Sequence, residues 1–133
     1  MEYFARLDEN NIVTAVITVS EQDLQNLPFP ESEEVGIAFL NTVIPNAVWK
    51  QTSDIHSFRF HFAGIGYKFH PECGAHGGFA PPKPFENFVW DEATCTWIPP
   101  IPHPTDGLDY YWSEYMNKWC PVLVSPPDTT IIG

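Results

Sequence analysis

The chain has 133 residues, of which 44% are apolar and 15% aromatic, so it can bury a core and wholesale disorder is not expected. Its formal net charge is −11 with only six Lys and Arg residues, which argues against binding to nucleic acid or to an anionic membrane surface. A basic protein partner is compatible with this charge.

Proline and cysteine content narrow the class of protein further. The 14 prolines interrupt helices and strand ladders, so we expect short strands, much extended chain and few helices. Cys73, Cys95 and Cys120 are odd in number and widely spaced, which favours folding in a reducing cytosol over a disulfide framework. The sequence shows no signal-peptide pattern and no apolar run of about 20 residues, so we expect no targeting segment and no membrane span.

Residues 2–19 are predicted to form a β-hairpin. Two segments typical of strands, YFARL and IVTAVITV, flank DENN, in which Asn10 and Asn11 accept left-handed backbone conformations at low cost. The second arm is rich in β-branched residues and alternates along its length. Its two faces would carry Val13, Ala15, Ile17 and Val19 on one side, and Ile12, Thr14, Val16 and Thr18 on the other.

One helix is predicted, over residues 32–44. Ser32 can cap its start, the glutamates that follow suit the positive end of its dipole, and Pro45 ends it. Apolar residues recur through this segment at helical spacing. A short helical turn is predicted before it, where Ser20 and Asp23 resemble a capping pair.

Two further segments resemble strands. Residues 47–53 are predicted to form one strand, and residues 57–69 alternate aromatic with polar residues until the glycines near their end. This alternation would place Phe58, Phe60 and Phe62 on one face, and Arg59 and His61 on the other.

A short aromatic pattern is repeated in the second half of the chain. FVWDEATCTWIPP (88–100) and YYWSEYMNKWCP (110–121) both place two tryptophans around an acidic turn and a proline after the second tryptophan. A looser first copy begins near residue 67 and has a longer turn. The three copies begin about 20 residues apart, and a repeat of this length is typical of tandem supersecondary units. The paired positions are Phe69 with Phe79, Trp90 with Trp97, and Trp112 with Trp119.

The spacing within each repeat predicts a hairpin with an aromatic pair across its two strands. With a four-residue loop at 92–95, Trp90 lies opposite Trp97 on the same face. Such a pair contributes about 1 kcal/mol beyond the area that it buries, and it would clamp a hairpin too short to be stable alone. The proline runs that follow would form extended spacers.

These elements predict a mainly β (α+β) fold, with an N-terminal β-hairpin and one short helix followed by tandem aromatic-clamped β-hairpins joined by Pro-rich extended segments. The predicted organisation is an N-terminal β/α domain (1–66), tandem repeats over 67–121 (67–87, 88–109 and 110–121) and a C-terminal extended tail (122–133).

Motifs of catalysis are absent from the sequence, so we predict that the protein is not an enzyme. It has no Gly-rich phosphate loop and no Gly-x-Ser-x-Gly turn. The pattern nearest to a metal site is HPECGAHGG, in which His70, Cys73 and His76 are three residues apart. Zinc usually takes four ligands, and the standard spacings are missing. We therefore predict no metal and no cofactor, with these three residues as weak candidate ligands.

The aromatic residues allow two functional interpretations. Small hairpins cannot bury five Trp, five Tyr and ten Phe residues among themselves, so some should face a partner. They could stack on sugars, as in a carbohydrate-binding module, or form the core and docking surface of an interaction protein. The candidate partner-binding or structural residues are Phe69, Phe79, Phe85, Trp90, Trp97, Tyr111, Trp112 and Trp119.

Eight segments, in order along most of the chain, form one pattern: FARLDENNIV (4–13), GIAFLN (36–41), WKQTS (49–53), FAGIGY (62–67), PPKPF (81–85), WDEATCTWIPP (90–100), PTDG (104–107) and YYWSE (110–114). In this pattern the sequence resembles a family of short tailed-phage proteins from phages of cyanobacteria and other aquatic bacteria, usually called uncharacterised or virion structural proteins. Members of that family usually carry a longer Asn/Thr/Gly-rich segment where this chain has DIHSFRFHF, and they usually end at the last tryptophan.

The resemblance implies a virion component and supplies no catalytic residues. We expect a capsid decoration or cement protein that is made in the host bacterial cytoplasm, binds the major capsid protein, and is present in many copies or as a homo-oligomer. The alternative is a tail, baseplate or fibre component that contacts host surface glycans, and a host-directed interaction protein without a virion role comes third. Neither nucleic acid nor a membrane is an expected partner.

Overall fold

A computed structural model describes residues 1–122; most of the predicted C-terminal tail, residues 123–133, lies outside the described residues. The mainly β prediction is confirmed, because residues 1–122 contain nine strands in small sheets and one α-helix. The elements are β1 (Glu2–Leu7), β2 (Val13–Val19), a 3-10 turn (Gln22–Leu24), α1 (Glu31–Val43), β3 (Val48–Thr52), β4 (Lys68–His70), β5 (Gly78–Ala80), β6 (Val89–Asp91), β7 (Thr96–Ile98), β8 (Tyr110–Ser113) and β9 (Lys118–Pro121).

The predicted N-terminal hairpin forms β1 and β2, and β1 also pairs with β3, so that the sheet order is β2-β1-β3. Its turn is held by Asp8, whose Oδ1 accepts hydrogen bonds from the backbone N–H groups of Asn10 and Ile12 at 2.8 and 3.0 Å. Asn11 has a φ of 63°, a left-handed conformation that asparagine tolerates better than most residues. The left-handed conformation predicted for this turn is therefore present at Asn11, and Asp8 adds hydrogen bonds that the sequence reading did not name.

Helix α1 packs on one face of this sheet and begins one residue earlier than predicted. The N-cap position is Pro30, so the prediction that Ser32 caps the helix is wrong. Ser32 lies buried in the first turn, where its hydroxyl donates a 2.7 Å hydrogen bond to Oε1 of Gln51 in β3. The core between helix and sheet contains Phe4, Val19, Leu24, Leu40 and Trp49.

The opposite face of the sheet packs against residues 63–80, which include the hairpin of β4 and β5. Backbone hydrogen bonds join the two parts, from Val13 to the carbonyl of Tyr67 at 2.8 Å and from Phe69 to the carbonyl of Asn11 at 2.8 Å. The sheet therefore has a core on both faces. The second core contains Ala5, Leu7, Val13, Ala63, Phe69 and Phe79.

Residues 57–67 of the alternating segment do not form a strand, and the prediction that its aromatic residues share one face is wrong. Arg59 and Phe60 both adopt left-handed conformations, with φ of 59° and 67°, which breaks the period-two alternation. The three phenylalanines consequently have different neighbours. Phe58 stacks on Phe29, Phe60 packs against the buried cysteines Cys73 and Cys95, and Phe62 meets Tyr3 edge-on.

Arg59 explains the path of this segment. Its side chain is buried and forms an ion pair with Glu33 of α1, in which Nη2 donates to Oε1 at 3.0 Å. The same guanidinium donates to the carbonyls of Gln51 and His76, each at 2.9 Å. A buried charge is tolerated only when it is paired and its hydrogen bonds are satisfied. The backbone therefore follows the course that brings Arg59 to Glu33.

The three predicted hairpins are present. Phe69 lies opposite Phe79 in the β4–β5 pair, and Trp112 lies opposite Trp119 in the β8–β9 pair. In the β6–β7 pair the rings of Trp90 and Trp97 are in edge contact, with centroids 5.2 Å apart. Whether these aromatic pairs act as clamps stays a prediction.

The chain divides into two compact units, and the division differs from the predicted boundary after residue 66. One unit comprises Met1–Pro84 with Trp90–Trp97. Among the described residues, the other comprises Phe85–Val89 and residues 98–122. The first hairpin belongs with the N-terminal sheet because Phe69 and Phe79 are part of its second core.

Candidate docking surface

The hairpin of β8 and β9 has two faces of different character. Its register pairs Tyr110 with Pro121 and Trp112 with Trp119, and because side chains alternate along a strand, these pairs share one face. The intervening pair, Tyr111 with Cys120, lies on the other face. The two faces of the hairpin therefore carry different side chains.

The tryptophan face is covered by the same unit's own chain at Trp112. Phe88 meets the Trp112 ring edge-on with centroids 5.6 Å apart, and the indole Nε1 of Trp112 donates to Oδ1 of Asn87 at 3.1 Å. Asn87 in turn donates from Nδ2 to Oδ1 of Asn117 in the hairpin turn at 2.6 Å. Trp112 is consequently buried, with only 7% of its surface exposed.

Trp119 on the same face is held by the segment that precedes β8. Its indole Nε1 donates to the carbonyl of Ile101 at 2.8 Å, and His103 lies edge-on to its ring at 4.6 Å. His103 also contacts Tyr110, with ring centroids 5.8 Å apart. The proline-containing segment around residue 101 thus lines this hairpin, and Trp119 is half-buried.

The opposite face and the turn of the hairpin carry apolar side chains that the described residues leave exposed. Tyr111 is 54% exposed, and Met116 and Tyr115 in the turn are 53% and 98% exposed. Sγ of Cys120 lies 4.0 Å from Sδ of Met116 and is buried beneath it. Exposed large apolar side chains on one short hairpin make it a candidate protein-binding surface. We call Tyr111, Tyr115 and Met116 the hairpin patch.

The structure separates the predicted aromatic residues into buried, half-buried and exposed groups. Tyr111 is the one of them that is exposed, and the sequence pattern missed its neighbours Tyr115 and Met116. The exposure of Tyr115 and Met116 could have been predicted from their position in the sequence. Both lie in a four-residue hairpin loop, which projects beyond the paired strands, and no residue close in sequence can cover their side chains. The buried residues are Phe69, Phe79 and Trp112, and the half-buried ones are Phe85, Trp90, Trp97 and Trp119.

Trp90 and Trp97 lie in the first unit and have polar neighbours. Trp90 stacks on the imidazole of His70 with centroids 4.2 Å apart and planes inclined by 26°. The ammonium of Lys83 lies 5.2 Å from the centre of the Trp97 ring, within the range of a cation–π contact. These two rings therefore pack against other parts of their own unit and leave only part of their surface to solvent.

The weak metal-ligand candidates are not brought together. Nδ1 of His70 is 3.1 Å from Oε2 of Glu72, Cys73 is buried, and the ring of His76 lies edge-on to Phe29. Among residues 1–122, no group of three His, Cys, Asp or Glu side chains is arranged to hold a metal ion. Hydrogen bonding and aromatic packing account for the position of each of these side chains.

A second surface feature is an open groove of about 770 Å³ beside α1. Its lining includes the apolar residues Leu27, Val35 and Phe39, and no Lys or Arg is among the described residues that line it. Its acidic side chains would favour a basic partner over an acidic one. These are Asp23, Glu31 and Glu34.

Comparison with family models, with curated proteins and with solved structures finds no match to this chain. Within the described part of the chain, no helix combines the length and apolar character needed to cross a membrane.

Proposed function

We propose that this protein is a non-enzymatic structural component of a tailed-phage virion, a capsid decoration or cement protein that binds the shell of major capsid protein. The observation that carries this proposal is the hairpin patch, whose exposed tyrosines and methionine lie on a hairpin fixed from behind by Trp112. A hairpin backbone that is already held in place loses less conformational entropy on binding than a flexible segment does. The resemblance of the sequence to short virion proteins supplies the class of partner.

The negative charge of this chain favours a partner that has a basic surface. The chain carries a formal charge of −11, and the acidic groove beside α1 adds a local concentration of negative charge. Electrostatic attraction accelerates the encounter and weakens with salt, whereas burial of apolar side chains does not. High salt should therefore slow attachment to capsids without removing protein that is already attached.

The experiment that tests the placement is mass spectrometry of purified particles after capsids and tails have been separated. The proposal expects the protein in the capsid fraction in many copies. Its presence in the tail fraction alone would support the alternative below, and its absence from both fractions would refute a virion role.

The hairpin patch is tested by incorporation of variants. Tyr111→Ser combined with Met116→Ser removes apolar surface from the patch, and we expect strongly reduced incorporation into capsids. Ile65→Ser is the matched control, because Ile65 is an exposed apolar residue of the other unit. Full incorporation of the double variant would move the attachment site elsewhere.

The alternative is a tail, baseplate or fibre component that contacts host surface glycans. The observation that favours it is the exposure of two tyrosine rings, Tyr111 and Tyr115, since exposed aromatic rings can stack on sugars. An array of oligosaccharides separates the two proposals. Reproducible retention of the isolated protein on one class of sugar, lost in Tyr111→Ala, would favour the glycan-binding role.

A further inference from the structure

Two of the three cysteines come from the turns of different hairpins and meet in one buried cluster. Cys73 lies in the turn between β4 and β5, and Cys95 is the last residue of the turn between β6 and β7. Both side chains are fully buried and pack with Ala80. The ring of Phe60 covers this cluster. Residues 22 apart in sequence are thus adjacent in the fold.

Gly78 shows how closely the two side chains converge. A Cβ atom placed on Gly78 would lie 2.7 Å from Sγ of Cys95 and 3.3 Å from Cβ of Cys73. Both cysteine side chains belong to the same buried cluster. Only glycine leaves room at this point, and the space that it leaves is filled by Cys95, the ring of Phe60 and Cys73.

The backbone at Cys95 is a second, independent observation. Cys95 has a φ of 53°, in the left-handed region that non-glycine residues rarely adopt. The corresponding turn of the β8–β9 hairpin has Asn117 at this position, with a φ of 54°. Asparagine tolerates this conformation better than cysteine does. The turn geometry therefore does not account for a cysteine here, whereas the burial of this side chain in one cluster with Cys73 is consistent with it.

We propose that Cys73 and Cys95 form a redox pair whose oxidised state is a disulfide that joins the turns of the first and second hairpins. The electron acceptor is a small-molecule disulfide such as oxidised glutathione. One cysteine thiolate attacks it and releases one glutathione, and the second thiolate then displaces the other glutathione from the mixed disulfide. Two thiols lose two protons and two electrons, one S–S bond forms and one breaks, and two glutathione thiols result.

Burial controls when this reaction can occur. Burial raises the pKa of both thiols, so little thiolate is present at neutral pH in the folded protein. Neither sulfur is accessible to a reagent as large as glutathione. Oxidation is therefore fast while the chain folds and slow once the cluster has closed. This inference does not depend on the proposed function.

The test is to refold the full reduced chain in buffer with an excess of oxidised over reduced glutathione. Free thiols are then alkylated, and the protein is cut after glutamate with glutamyl endopeptidase. Cleavage after Glu72, Glu86, Glu92 and Glu114 puts each of the three cysteines on a separate peptide. We expect the peptides of Cys73 and Cys95 to be linked and the peptide of Cys120 to be alkylated.

Two variants and one stability measurement complete the test. Cys120→Ser should leave the linked peptides unchanged, and Cys73→Ser should abolish them. The oxidised wild type should unfold at a higher denaturant concentration than the reduced wild type, a comparison that needs no variant to fold. Alkylation of all three cysteines after refolding, or a linked peptide that contains Cys120, would overturn the proposal.

Discussion

Trp112 lies directly opposite Trp119 across the β8–β9 hairpin, with ring centroids 5.4 Å apart and planes inclined by 77°. The same edge-to-face arrangement joins Phe69 with Phe79 at 5.2 Å and 61°, and Trp90 with Trp97 at 5.2 Å and 62°. Aromatic pairs favour this geometry because the positive ring edge meets the negative ring face. Its recurrence in three short hairpins supports the interpretation that the pairs clamp them.

The first prediction tests the clamp at its most buried ring. Trp112→Ala removes one half of the pair and the contact with Phe88, and we expect the free energy of unfolding to fall by about 3–5 kcal/mol. Tyr115→Ala is the control, since Tyr115 is nearly fully exposed in the same hairpin and should change the value by less than about 0.5 kcal/mol. Urea unfolding measures both. Equal, small effects would show that the pair does not stabilise the hairpin.

The second prediction concerns the close approach of α1 to the sheet. A Cβ atom on Gly36 would clash with Cζ of Phe4, which is buried in the helix–sheet core. Gly to Ala within a helix usually stabilises by about 1 kcal/mol, but here we expect Gly36→Ala to destabilise by about 1–3 kcal/mol through overpacking. Asn41→Ala, on an exposed position of the same helix, should be neutral or slightly stabilising. Thermal unfolding distinguishes the signs, and a stabilising Gly36→Ala would contradict the packing.

The third prediction concerns the buried ion pair of Arg59 and Glu33. Arg59→Met leaves the Glu33 carboxylate partly buried without its cation, and we expect a loss of about 3–5 kcal/mol in the free energy of unfolding. Adding Glu33→Gln should recover part of this loss, because it removes the unpaired charge. Arg6→Met, at an exposed arginine, is the matched control and should change little. An Arg59→Met variant as stable as the wild type would mean that the pair does not position this segment.

The fourth prediction concerns stability at alkaline pH. Burial raises the pKa of Cys73 and Cys95 above the ordinary value of 9.0, so these thiols stay protonated in the folded state while those of the unfolded chain ionise. The unfolded state then binds fewer protons, and the free energy of unfolding should fall as pH rises above about 9. The pKa of Tyr110 is raised by its hydrogen bond to Asp106 and acts in the same direction.

Comparison with Cys73→Ala/Cys95→Ala isolates the contribution of the thiols from that of Tyr110. Urea unfolding between pH 8 and pH 10 should give a steeper decline for the reduced wild type than for the double variant. Parallel declines would indicate that the two thiols ionise alike in the folded and unfolded states.

The fifth prediction concerns metal. His70, Cys73 and His76 have separate neighbours, so extensive dialysis against a chelator should leave the melting temperature unchanged. Calorimetry before and after dialysis measures this. A fall of many degrees, restored by added zinc, would revive a metal site at this turn.

Local sequence patterns were sufficient for elements whose cause is local. The turn at Asn10 and Asn11 and the pairing of Trp112 with Trp119 follow from turn chemistry and from the two-residue period of a strand. The predicted faces of β2 hold only in part, because a β-bulge opposite Arg6 and Leu7 places Val13 in the second core, whereas Ile17 and Val19 pack in the helix–sheet core. The same reasoning failed at residues 57–69, because the alternation there ends at the left-handed backbone of Arg59 and Phe60. It also misassigned Ser32, whose hydroxyl is used by Gln51 rather than by the end of the helix.

The sequence by itself determined the mainly β class, the N-terminal hairpin and the positions of the repeated aromatic pairs, because these depend on side chains a few residues apart. Only the tertiary structure decided that Arg59 meets Glu33, that Cys73 meets Cys95, and that Tyr111 rather than Trp112 faces solvent. In each case a side chain is either removed from water or left exposed to it, and this depends on which distant segments of the chain pack together. A periodic pattern shows which residues share a face, but it does not show which face the rest of the chain will cover.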